Sequence, residues 1–200
     1  MIFVIYNAIE KIINMKLLLT FLTACFLMSC GSSKTSATPE QIAKLDQLVR
    51  EKSFEIESDW ASPMATNALL SLQNAGFFPP GSSASNVSLI GNSNYFRIKG
   101  DSISAELPYF GEVQMSSGHY GGDASITLEG TIEDYKVNKN EKKNSYTMTF
   151  RARSKNEGYS VFLTLFPSGR TSLRLNGDKR FSIEYTGDVM ALDPEVSMTH

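Results

Sequence analysis

The chain has 200 residues, 42% of them apolar and 20% charged, with a net charge of −2. That is enough apolar material for one domain with a tail. It excludes the strongly basic footprint of a nucleic-acid binder.

The N-terminus reads as an export signal. Met15-Lys16 is a short positive start, and Leu17 to Met28 is an apolar run too short to span a bilayer. Residues 1–14 carry Glu10 inside an apolar run and read as sequence upstream of a true start at Met15. Leu27-Met28-Ser29-Cys30 resembles the lipobox of bacterial lipoproteins. Residues 1–30 are therefore expected to be a signal peptide with Cys30 as the lipidated residue. Leu22-Thr23-Ala24-Cys25 competes, with a shorter hydrophobic core before it. Several acyl chains, at roughly 0.8 kcal/mol per buried CH₂, hold a protein on a membrane where one chain does not. Both cysteines precede the folded domain, which then has no thiol for a disulfide, a nucleophile or a metal.

Residues 31–38 are rich in Ser and Thr and read as a flexible tether. A single β-rich domain is expected over 39–190, with a disordered tail over 191–200. Thr38-Pro39-Glu40-Gln41 is a helix start, with Thr as cap, Pro in the first turn and Gln to close a capping box. Ile42, Leu45, Leu48 and Val49 follow at helical spacing, to about Lys52. Phe54, Ile56 and Trp60 then alternate with acids, which predicts a strand. Ala65, Ala68, Leu69 and Leu72 allow a short helix stopped near Gly76. Phe77-Phe78-Pro79-Pro80-Gly81 cannot continue it, and reads either as an aromatic lid over a pocket or as a loop capping the core.

Tyr95 to Phe110 predicts a hairpin around Gly100-Asp101. In that register Phe96 faces Ala105 and Ile98 faces Ile103, so apolar meets apolar. Pro108, with no N–H for a ladder, should end the second strand. Further strands are expected at Ile126–Leu128 and Ile132–Val137. Four more follow with alternating faces: Tyr146 to Ala152, Tyr159 to Leu165, Leu173 with Leu175, and Phe181 to Tyr185. Short turns at Lys155-Asn156, Pro167-Ser168-Gly169 and Gly177-Asp178-Lys179 put Phe150 opposite Val161, Leu163 opposite Leu173, and Leu175 opposite Phe181. Phe162 and Phe166 fall on the other face, which implies a cover there, such as the N-terminal helix. The expected fold is mainly β, an antiparallel meander forming a barrel or strongly curved sheet with one N-terminal α-helix. A two-layer β-sandwich is the alternative.

Catalytic parts are scarce. His119 beside Ser116 or Ser117, with Asp123 as orienter, is the one hydroxyl-nucleophile arrangement available. Paired acids for glycoside cleavage, such as Glu106 with Glu129, could meet across strands, against the reading that both are solvated carboxylates on an outward face. Neither pattern is specific, no nucleotide fingerprint is present, and no cofactor or metal is expected. The best binding candidates are Tyr109, Phe110, His119 and Tyr120, two aromatic-bearing pairs flanking a glycine-bearing loop, suited to glycan, peptide or lipid contacts. The competing reading is that Tyr109 and Phe110 pack under their own loop. Arg151, Arg153 and Arg174 form either a basic stripe or ion pairs such as Arg174 with Glu184.

Phe96-Arg97-Ile98-Lys99-Gly100-Asp101-Ser102, Leu107-Pro108-Tyr109-Phe110-Gly111, Tyr120-Gly121-Gly122, Gly130 with Tyr135-Lys136, and Phe166-Pro167-Ser168-Gly169 occur in this order. On these motifs the chain resembles Bacteroidetes lipoproteins of domain-of-unknown-function family 4251, from about Phe54 to Asp188. The resemblance implies an envelope lipoprotein with a mostly β domain and no assigned reaction. No acidic block follows Cys30, as surface-exposed members of such lipoproteins often have, so an outer-membrane position facing the periplasm is expected. The expected role is non-catalytic binding of a protein, glycan or lipid of the envelope, with the membrane engaged through the lipid anchor and no nucleic acid involved. Structural docking through the β surface is the alternative, and an unrecognised hydrolase a third.

Overall fold

Thr38 caps helix α1 (Pro39–Glu51). Its hydroxyl accepts from the Gln41 N–H at 3.3 Å, and the Gln41 side chain accepts from the Thr38 N–H at 2.9 Å. Two N–H groups that have no partner inside the helix are thereby satisfied. Leu45, Leu48 and Val49 bury one face of α1 in the main core. The structure, a computed structural model, describes Lys16 and residues 37–112 and 125–193. The chain divides into two units, Met1–Ser36 and Ala37–His200, and the fold described is that of the second. The leader with Cys25 and Cys30, His119 and Tyr120, and residues 194–200 lie outside the described residues. Among the described residues no helix is long and apolar enough to cross a membrane.

Strand β1 (Ser53–Pro63) leads to helix α2 (Asn67–Asn74) and a two-residue strand β2 (Val87–Ser88). Eight more strands follow: β3 (Tyr95–Lys99), β4 (Ser102–Pro108), β5 (Ser125–Thr131), β6 (Glu133–Asn140), β7 (Ser145–Arg153), β8 (Gly158–Leu165), β9 (Arg170–Gly177) and β10 (Ile183–Ala191). All belong to one antiparallel sheet of ten strands, ordered β5-β4-β3-β1-β10-β9-β8-β7-β6, with β2 beside β1. Two features make this meander barrel-like. The first strand lies between β3 and β10, joining the two halves of the chain. At the far edges, β5 and β6 are separated only by Ile132, so one long bent strand gives its first half to β4 and its second to β7. The bend is made by positive φ at Gly130 (125°) and Asp134 (54°) and by a register shift between Glu133 and Lys136.

The predicted pairings of Phe96 with Ala105, Ile98 with Ile103, Phe150 with Val161 and Leu163 with Leu173 are all observed. Pro108 is the last residue of β4. Three expectations are corrected. A bulge between Ser58 and Trp60 shifts the phase of β1, so Ala61 and Pro63 are buried while Trp60 is only half-buried. Leu175 pairs with Ile183 instead of Phe181, because residues 178–182 form a wider loop held by Glu157. Phe162 remains exposed, since α1 packs with the inward-facing side chains and leaves the outer wall uncovered.

The interior is filled. Phe96 on β3 and Phe150 on β7, far apart in the sheet order, meet with ring centroids 6.4 Å apart, and Tyr135 lies 6.1 Å from Phe150. The registers define two ends. One carries the β3–β4 and β8–β9 turns and is covered by α1. The other carries the β7–β8 and β9–β10 loops, residues 109–112 after β4, and the start of the Met64–Asn94 excursion.

At the helix end, Asp46 accepts from the Tyr146 hydroxyl at 2.7 Å and from the Lys139 ammonium at 3.0 Å. The Tyr146 hydrogen bond, then that of Lys139, holds the Asp46 carboxyl below the ordinary aspartate value of 3.8. A carboxylate with a depressed folded pKa contributes stability above its unfolded pKa and loses it as pH falls through the folded value. Urea melts should therefore show Asp46→Asn less stable than wild type at neutral pH, with the gap closing once pH falls below 3.8. A gap independent of pH would remove the ionised carboxylate from the helix docking.

Candidate functional site at the polar end of the barrel

The end opposite α1 is built outward from Pro108. With no N–H to extend the ladder, the chain leaves the sheet there, and the Pro108 carbonyl accepts from the Tyr185 hydroxyl at 2.8 Å. Tyr109 turns inward and is 8% exposed. Its hydroxyl lies 3.0 Å from the Glu112 carbonyl and 3.1 Å from that of Phe181, so one proton is shared between two acceptors on separate loops. Gly111 permits this fold, since a Cβ there would meet the Tyr109 hydroxyl. Phe110 is half-buried against the core.

Beneath Tyr109 lies a charged network. The Arg180 guanidinium carbon sits 4.8 Å from the centre of the Tyr109 ring, and Arg180 Nε donates to Glu157 Oε2 at 2.9 Å. The same carboxylate accepts from the Tyr159 hydroxyl at 2.8 Å and from the Lys179 N–H at 2.9 Å. The Glu157 side chain is 4% exposed and that of Arg180 12%. Arg180 Nη1 is buried with no hydrogen-bond partner. Burial pushes the hydroxyl pKa of Tyr109, Tyr159 and Tyr185 up, so these phenols stay protonated donors.

Of the four aromatic-loop candidates, the structure therefore places Tyr109 and Phe110 as packing residues beside this network. His119 and Tyr120 lie outside the described residues, as do Ser116, Ser117 and Asp123. The Glu106 and Glu129 strands are in a register that pairs Glu106 with Thr127 and Glu129 with Ser104, so the two acids are diagonal neighbours on the exposed side. Arg174 pairs with Glu184 at 2.9 Å. Among the described residues no group of three His, Cys, Asp or Glu side chains is placed to hold a metal. Sequence reasoning missed Glu157 and Arg180. One signal was available: Glu157 is in phase with the inward-facing Tyr159, Val161, Leu163 and Leu165, which puts a charge on the buried side.

At the helix end a shallow cleft of about 190 Å³ lies between Lys44, Leu45 and Leu48 of α1 and Phe166, Pro167 and Val189. Its one charged side chain, Lys44, is exposed.

Fold and site together define a meander barrel with a filled interior, a helix over one end and a buried tyrosine–carboxylate–guanidinium network at the other. The chain belongs to the family described as Domain of unknown function (DUF4251), whose family model matches residues 37–189. A crystal structure of a DUF4251 family protein from Bacteroides eggerthii is similar at 12% identity, over 76% of this chain and 88% of that chain, with a TM-score of 0.50. That likeness is one of fold. No curated protein matches the chain.

Proposed function

We propose that this chain is a lipid-anchored protein of the cell envelope that binds, without catalysis, a partner at the barrel end carrying Tyr109 and Arg180. Cys30 would carry the anchor, on the outer membrane facing the periplasm. The observation that supports surface docking over a ligand inside the barrel is the Phe96–Phe150 contact across the interior, which leaves no lumen between those walls. The excursion that leaves β1 at this end also exposes large apolar side chains, Phe77 at 75% and Ile90 at 79%. The groups that resemble catalytic parts are already engaged: the Glu157 carboxylate by three donors, the Tyr109 hydroxyl by two carbonyls.

The test is site-specific photo-crosslinking in the native envelope, with the probe at exposed Glu112 on this end and at exposed Glu141 on the helix end as control. A discrete adduct from Glu112 alone is expected. Adducts from Glu141 alone, or from neither position, would end the assignment of this surface. Metabolic palmitate labelling checks the anchor: label should be lost in Cys30→Ala and kept in Cys25→Ala.

A further inference from the structure

The outer wall that α1 leaves uncovered carries a charge pattern of its own. Between Glu133 and Lys155 the chain holds seven Lys or Arg against three Asp or Glu, although its net charge is −2. This stretch is the β6–β7 ribbon, and β8 and β9 continue the wall beside it. Some of its cations are spent. Arg153 pairs with Glu133 at 3.5 Å, Arg174 with Glu184 at 2.9 Å, and Lys139 with Asp46 at 3.0 Å. Arg151 and Lys136 are exposed and make no ion pair with any described residue. The arginine stripe is thus part paired and part spare.

The register sets the spare cations around one aromatic ring. Lys136, Thr149, Phe162 and Arg174 stand in a line across β6, β7, β8 and β9. Arg151 faces Ser160 in the next line, so it is a diagonal neighbour of Phe162, within reach of a side chain of that length. Phe162 is 43% exposed. Among the described residues, cations sit over the rings of Tyr95, Tyr109, Tyr135 and Tyr146, and none over Phe162. Its ring is left open, with an unpaired guanidinium beside it and short hydroxyl side chains around it.

The spare cations call for an acidic partner, and the rest of the wall selects its kind. A protein interface is apolar at its centre and poor in Ser and Lys. Among the outward side chains of β7, β8 and β9, Phe162 is the one large apolar group. A bilayer presents a plane of charge, but the strands beside this wall turn acids outward, with Asp188 of β10 opposite Glu57 of β1. A sugar ring matches what is here. It has one apolar C–H face for an aromatic platform and a rim of hydroxyls for short polar side chains. A uronate sugar adds a carboxylate, which a guanidinium meets with two parallel hydrogen bonds. We propose that the outer wall of β6–β9 binds an acidic glycan. A uronate ring rests on Phe162, its carboxylate pairs with Arg151, and Lys136 takes the carboxylate of a neighbouring sugar. This surface is separate from the barrel end assigned above and does not rest on that reading.

The test uses residues 37–200, since every residue of the hydrophobic core lies between Leu45 and Leu192. Native gels are cast with polygalacturonate, alginate or hyaluronate, all uronate polymers. Dextran serves as the neutral glycan, polyglutamate as the acidic peptide and phosphatidylglycerol vesicles as the anionic lipid. At least one uronate polymer is expected to retard the domain, and dextran is not. Phe162→Ala and Arg151→Gln should each weaken that binding about tenfold. Both side chains lie on the outer wall, so the thermal melt should not change. No retardation by any of the three uronate polymers would overturn the proposal. So would polyglutamate or the vesicles binding as tightly as the glycan, since charge alone would then account for it. Variants that bind like wild type would remove Phe162 and Arg151 from the contact and the proposal with them.

Discussion

Glu157→Ala is expected to destabilise the domain by about 3–5 kcal/mol, the cost of leaving one member of a buried ion pair without the other. The carboxylate is the common acceptor for Arg180, Tyr159 and the Lys179 N–H. Its removal strands three donors in a region where the guanidinium is already short of one partner. The β9–β10 loop should loosen with it, because Lys179 and Arg180 are tied to the carboxylate and Phe181 to Tyr109. Urea denaturation reads the loss. Glu157→Ala combined with Arg180→Met should recover a substantial part of it, since the uncompensated charge is then gone as well. A single-variant loss below about 1 kcal/mol would place the pair among solvated surface bridges.

Gly187→Ala is the second large effect expected, at about 2–3 kcal/mol. Gly187 lies in β10 opposite Ser58. A Cβ added there would meet the Glu57 carbonyl oxygen and the Ser58 Cα, both backbone atoms of β1. Backbone paired with β10 on one side and with β3 and β2 on the other cannot step aside as a flexible side chain does. The close approach coincides with the bulge that re-phases β1, so the substitution should disturb the burial of Ala61 and Pro63 too. Gly100→Ala is the control. Nothing lies within 4 Å of its added Cβ, and only the positive φ of 61° resists, at about 1–2 kcal/mol. If the two variants melt alike, the crowding between β1 and β10 is not what makes residue 187 glycine.

Features set by short-range physics were readable from residues alone. The capping box of α1 needs only the Thr38–Gln41 spacing, and the stop of α2 near Gly76 needs only a residue that accepts positive φ. The β3–β4, β7–β8 and β8–β9 registers followed from a period of two and a short turn, because a slip of one residue would put every apolar side chain in water. The burial of Tyr109 is not fixed by neighbouring residues, since an aromatic beside a loop packs inward or outward depending on what stands behind it. Here Arg180 stands behind it, brought there by a loop 71 residues later in the chain.

The sequence by itself determined a mainly β meander with a capped N-terminal helix, and most of the faces its strands bury. Only the tertiary structure decided that β1 sits between β3 and β10, that a bulge turns Ala61 instead of Trp60 inward, and that Glu157 and Arg180 meet across 23 residues. The division has one cause. Periodicity and turn chemistry act between residues a few positions apart, and each segment carries them with it. Strand neighbours, buried charge partners and the crowding at Gly187 depend on which distant segment arrives alongside, and that is settled by closing the whole sheet at once.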